Sequence, residues 1–166
     1  VTFQYLPGVA LGLVLITIVG QCVGAGEPEQ AKSYTRKVIA VNYGLLLIIC
    51  TCMVVFRSRV VGIYNLSPEA SVLAQKLLLA HSCGMVLWPL AFALPNTLRA
   101  GLDAKFTMMV SVFSMWVFRI GLGYVFVRGL HMSVLGIWYA MFVDWIFRLV
   151  VFVWRFKGFT ARVRQV

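Results

Sequence analysis

Three ionised side chains stand inside otherwise apolar runs and are the first candidates for chemistry: Arg119, Asp144 and Arg148. A charge at the centre of a membrane helix costs about 2.5–3.5 kcal/mol on insertion scales, so it is kept where it pairs or where a charge is moved. Asp144 and Arg148 are four residues apart, one turn along the same helix face. Counted from the outer helix ends, where the fourth and fifth helices are joined, Arg119 lies about 12 Å deep and Asp144 about 18 Å deep, at about 1.5 Å per residue. An Arg side chain spans that offset, so the spacing predicts a buried Arg119–Asp144–Arg148 cluster. Such a cluster could clamp two helices together. It could instead be a charge that changes partner or proton during a transport cycle. Arg148 is also close enough to a helix end to snorkel.

His81 is the one His inside an apolar run. It could be a proton or substrate site, since His titrates near neutral pH, or a wetted, hydrogen-bonded residue at a helix end. Trp88, Phe92, Phe113, Trp116 and Trp138 supply ring faces. These could line a cavity for greasy cations or aromatic drugs, or they could simply pack between helices. No catalytic residue or metal site is expected: HExxH, GxSxG, a phosphate-cradling glycine loop and a CxxC pair are all missing. Hydrolase or NTPase chemistry therefore has no carrier, and the expectation is a protein that is not an enzyme. Cys22, Cys50, Cys52 and Cys83 are expected to be buried free thiols.

The elements that must position these residues follow from composition. The chain of 166 residues is 61% hydrophobic and 12% charged, far more apolar than soluble domains of its size can hide. The expected fold class is all-α, a polytopic membrane bundle in lipid. Its net charge of +10 does not imply nucleic acid, because the basic residues fall mostly between apolar runs with no stacking platform among them.

Five spanning helices are expected, at about 5–23, 38–56, 71–98, 106–127 and 132–154, followed by a basic tail at 155–166. Gly20, Gln21, Gly24 and Gly26 end the first helix. Gly8 and Gly12, like Gly20 and Gly24, have the spacing that lets membrane helices approach closely. Ser67, Pro68 and Glu69 read as a helix start. Pro89 inside the third helix predicts a hinge or kink. A tight link around 128–131 makes the fourth and fifth helices antiparallel neighbours.

Basic residues orient the bundle. The 24–37 region, the Asn96–Lys105 link and the tail together carry nine Lys and Arg, against three on the opposite side. By the positive-inside rule, the tail and both loops face the cytoplasm of a cell-membrane, multi-pass protein. The Val start on the outer side, with an odd number of spans, suggests that earlier helices are missing.

Four stretches in order resemble the multidrug and toxic compound extrusion (MATE) family. Gly20-Gln21, Gly24-Ala25-Gly26 and Gln30-Ala31-Lys32 resemble the loop of each of its halves. Pro95-Asn96-Thr97-Leu98-Arg99-Ala100-Gly101-Leu102-Asp103 resembles its second signature link. Trp116 with Arg119 is similar to its eleventh helix, and Trp138, Asp144 and Arg148 to its twelfth. The resemblance implies a partial C-terminal lobe, helices eight to twelve, of a two-lobe transporter whose N-terminal lobe is absent. It implies efflux of cationic or aromatic compounds in exchange for Na⁺ or H⁺ by alternating access, with no cofactor beyond the coupling ion. It also implies that the two loops, with Pro95, Asn96, Arg99 and Asp103, take part in conformational change. Some members carry an acid on helix ten, whereas Leu77–Leu98 here contains none. Two alternatives stand beside this reading: a lipid-linked sugar flippase of the same superfamily, and a truncated half that transports nothing.

Overall fold

Apolar runs bounded by glycine, proline and basic clusters become helices, because a helix satisfies its own backbone groups in lipid. The structure is a computed structural model and describes residues 2–65, 67–129 and 134–164. It contains helices and turns, with no strand among the described residues. The helices are α1 (Thr2–Gly24), α2 (Pro28–Val55), α3 (Arg57–Gly62), α4 (Pro68–Gly84), α5 (Leu94–Ala100), α6 (Ala104–Ser114), α7 (Val134–Lys157) and α8 (Phe159–Val163). Five stretches are long and apolar enough to cross a membrane: Gln4–Gly24, Pro28–Val55, Pro68–Leu87, Ala104–Gly129 and Gly136–Lys157. This is the all-α, polytopic membrane bundle expected from composition.

The spans differ from the expected ones at their ends and interiors. The second begins ten residues early, at Pro28 rather than Val38, because Pro suits the first turn of a helix and Glu29 favours its positive end. Ser67 caps α4 by accepting from the Ala70 backbone N–H at 3.4 Å. The third span is broken where Pro89 stands. Met85–Leu87 forms a 3₁₀ turn, Pro89–Ala93 a wide π turn, and α5 completes it. The fourth span is α-helical only to Ser114 and continues as π turns at Met115–Leu122 and Val125–Gly129. Arg155–Lys157 of the basic tail extend α7, and after a turn at Gly158 the segment Phe159–Val163 forms α8. Leu130, His131 and the expected start of the fifth helix at Met132 lie outside the described residues.

α1 packs along α2 and against the broken third span. Small residues form that second seam. A Cβ at Gly8 would come within 2.6 Å of Trp88 Cζ3, and one at Gly12 within 2.8 Å of Asn96 Nδ2. The core includes Leu15, Val19, Leu94, Leu98, Trp145 and Phe152. Leu47, Ile48 and Val55 are more than half exposed, as residues facing lipid or another membrane segment are. Cys22 and Cys50 are half-buried, but Cys52 and Cys83 are exposed. The expectation of four buried thiols is corrected for those two, because an apolar environment in a membrane does not require a place inside the bundle.

Candidate functional site

Asp144 and Arg148 form a buried ion pair on α7. Arg148 Nε donates to Asp144 Oδ1 at 3.0 Å, and Arg148 Nη2 donates to the Ser111 carbonyl on α6 at 3.1 Å. The pair therefore ties two helices together, although the helix facing α7 supplies a backbone oxygen rather than Arg119. The guanidinium also lies 5.5 Å from the centre of the Phe92 ring. Arg119 is exposed and forms no ion pair among the described residues. The three-residue cluster is thus a dyad. The physical reason is local: the expected depth holds for an α-helix, while Arg119 sits in the π turn Met115–Leu122, whose i→i+5 bonding turns successive side chains by a different angle.

Arg119 instead lines an open-sided cavity of about 440 Å³. Helix α7 presents Trp138, Met141 and Trp145 to it, and His81, Trp88 and Phe92 come from the broken third span. Tyr5 and Val9 close it from α1. The rings form a continuous chain. Tyr5 stacks on Trp88 at 6.4 Å and Trp88 on Phe92 at 5.6 Å. Phe92 meets Trp145 edge-on at 5.6 Å, and His81 meets Trp145 and Trp138 edge-on at 5.9 and 5.3 Å. Trp88 and Phe92, four residues apart beside the turn at Pro89, face the same cavity. Behind Phe92 stands the Asp144–Arg148 pair, which supports the wall without lining it.

His81 is 4% exposed, and neither of its ring nitrogens has a hydrogen-bond partner. Trp145 is also 4% exposed, and its Nε1–H is unpartnered. Nearby, Gln4 Nε2 donates to Ser82 Oγ at 2.6 Å, and Ser82 Oγ–H in turn donates to the Leu78 carbonyl at 2.8 Å. Of the expected cavity aromatics, Trp88, Phe92 and Trp138 line the cavity, but Phe113 and Trp116 do not. Phe113 packs on Phe147, and Trp116 is 62% exposed. Sequence reasoning missed Tyr5, Met141 and Trp145. The last two share a helical face with Trp138 through their i, i+3, i+7 spacing, and that spacing was the available signal.

The two loops expected to carry conformational change lie at the opposite end, where they share an open groove of about 650 Å³ with α8. Gly20, Gly24 and Gly26 border it beside Leu102 and Arg164, while Gln21 borders a separate depression with Glu27 and Tyr34. Both loops use one capping scheme. Glu27 N–H bonds to Cys22 O and Gly26 N–H to Val23 O; Asp103 N–H bonds to Leu98 O and Leu102 N–H to Arg99 O. This is the Schellman pattern, which places a left-handed residue just after the helix. Gly26 fills that position at φ +74° and Leu102 at φ +66°.

Pro95 is buried and Asn96 half-buried, with Arg99 Nη1 donating to Asn96 Oδ1 at 3.3 Å. Asp103 receives a bidentate pair from Arg155, at 2.6 and 3.1 Å, and Arg155 lies 4.3 Å from the centre of the Phe106 ring. Arg162 of α8 donates to the Arg155 carbonyl. Burial and the Arg155 charge push the Arg162 guanidinium below its usual value. Among the described residues, no group of three or more His, Cys, Asp and Glu could hold a metal ion.

Against known proteins, residues 1–125 match the MatE family model. The chain is 22% identical to the probable multidrug resistance protein YoeA of Bacillus subtilis, over 98% of this chain and 36% of that protein. It is 24% identical to the probable multidrug resistance protein NorM of Bacillus subtilis, over 82% of this chain and 30% of the relative. It is 25% identical to the NorM of Mannheimia succiniciproducens, over 86% and 32%. The chain spans about a third of the length of these curated relatives. No solved structure gives a significant match.

Proposed function

The chain belongs to the MatE family, and on that premise we propose that it forms the C-terminal lobe of a secondary multidrug efflux transporter in the cell membrane. The observation that carries the proposal is the aromatic cavity of about 440 Å³. Its size falls within the range of about 300–1,000 Å³ typical of small-molecule sites. In this reading a second lobe of the same protein packs against this one. Aromatic and cationic compounds leave the cell in exchange for Na⁺ or H⁺ as the lobes alternate in access. The basic residues near the two loops and α8 support a cytoplasmic position for that end in this reading, by the same rule that orients other membrane proteins.

The test is accumulation of ethidium and of a fluorescent neutral aromatic dye in a pump-deficient bacterium that expresses the complete gene product. Lowered accumulation of at least one dye is expected. Unchanged accumulation of both, with the protein present in the membrane, contradicts the proposal.

A further inference from the structure

The chain passes from α2 into α3 almost without a break. Phe56 N–H bonds to Cys52 O and Val60 N–H to Phe56 O, and the link ends at the Ser67 cap of α4. Its neighbours on both sides are spans, Pro28–Val55 and Pro68–Leu87. Residues 56–65 are therefore held at the membrane–water boundary, at the end of the bundle opposite α8. α3 packs on α4, with Val61 buried. Other side chains of the link turn outward: Ile63 is 77% and Tyr64 73% exposed, and Phe56 is half-exposed. Arg57 and Arg59 stand among them, in a stretch from Phe56 to Asn65 that contains no Asp or Glu. Arg59 lies 6.0 Å from the centre of the Phe56 ring. Exposed rings and aliphatic groups interleaved with arginines suit the headgroup layer, where aromatic side chains sit at the boundary and cations reach anionic lipid.

Below the link, an exposed stripe runs along α2. Val41, Leu45, Ile48, Cys52 and Val55 recur at steps of three or four residues and share one face. The buried residues Thr35, Ile39, Asn42 and Leu46 lie on a different one. From Val41 to Val55 the stripe extends about 21 Å at about 1.5 Å per residue. That exceeds the hydrocarbon depth of one leaflet, about 15 Å. No residue of α2 or α3 lines the aromatic cavity, so stripe and link stand apart from it.

We propose that this flank is a binding site for an anionic phospholipid. One acyl chain lies along the α2 stripe, the phosphate and the negative headgroup meet Arg57 and Arg59, and Ile63 and Tyr64 border the glycerol level. A guanidinium matches phosphate with two parallel hydrogen bonds, and each basic residue near an anionic surface favours association by about fivefold. A zwitterionic lipid offers the same phosphate, but its own positive group offsets the attraction. The inference uses the membrane position of the chain and not the efflux reading, so either can fail alone.

The test reconstitutes the complete gene product in phosphatidylcholine bilayers. These carry an equal small fraction of either phosphatidylglycerol or phosphatidylcholine with a photoreactive diazirine near the top of one acyl chain. After illumination, adducts on residues 48–64 are quantified by peptide mass spectrometry. Adducts from phosphatidylglycerol are expected to exceed those from phosphatidylcholine by about fivefold or more. Arg57→Gln with Arg59→Gln should bring the two lipids to parity, whereas Arg57→Lys with Arg59→Lys should keep most of the excess because the charge persists. Parity in the natural sequence, an absence of adducts on 48–64, or an excess that survives the double Gln variant would overturn the inference.

Discussion

Asp144 and Arg148 show what a buried charge does in this bundle. Each is held by the other, and Arg148 reaches across to the Ser111 carbonyl. Removing one partner strands the other in an apolar interior, which costs about 3–5 kcal/mol for buried pairs. Asp144→Ala is therefore expected to lower the thermal midpoint of the complete gene product in detergent, and Asp144→Leu with Arg148→Met to recover most of the loss. An unchanged midpoint in Asp144→Ala would contradict the clamp. The i,i+4 pair was legible in the sequence because spacing on an α-helix is fixed. Arg119 was misplaced because nothing in its neighbours marks a π turn. Gly8 is a second test at this scale. Gly8→Ala places a methyl against the Trp88 ring, and overpacking costs about 1–3 kcal/mol. Lower stability together with shifted tryptophan emission is expected, and unaltered emission would place the seam elsewhere.

At the scale of the element, the link between α5 and α6 carries a cost that its counterpart avoids. Leu102 occupies the left-handed position that Gly26 fills after α1, and such a conformation costs a non-glycine residue of order 1 kcal/mol. Leu102 is 65% exposed, so little burial is lost on trimming it. Leu102→Gly is expected to stabilise the protein by about 0.5–1 kcal/mol, seen as a higher thermal midpoint. A lower midpoint would show that the Leu102 side chain contributes more than its exposure suggests.

The Asp103–Arg155 fork fastens this link to the end of α7. A Lys cannot reproduce two parallel bonds and a planar contact with Phe106. Arg155→Lys should therefore lose about 1–2 kcal/mol, and an equal midpoint would make the fork incidental. The break at Pro89 was readable, since proline removes a donor and crowds the preceding turn. The π turns at Met115–Leu122 and Val125–Gly129 were not, because they contain no proline or other local signal; both pack against α7. The two glycine-bearing loops were recognisable by resemblance, whereas their shared capping scheme required backbone geometry.

For the whole molecule, five spans and an apolar outer surface follow from composition alone. Where the cavity lies did not, because its wall joins residues from four separate stretches: α1, the third span, the π turn of the fourth and α7. Family membership makes this a multi-pass membrane protein, and the chain spans about a third of its curated relatives. The central claim is that the cavity serves coupled export. It is tested most directly in proteoliposomes holding the complete gene product, by following movement of an aromatic dye against its gradient while a Na⁺ or H⁺ gradient is imposed. The account predicts uphill movement driven by one of the two ions and abolished when that gradient is collapsed. Dye movement that ignores both gradients, or none at all in folded protein, would contradict it.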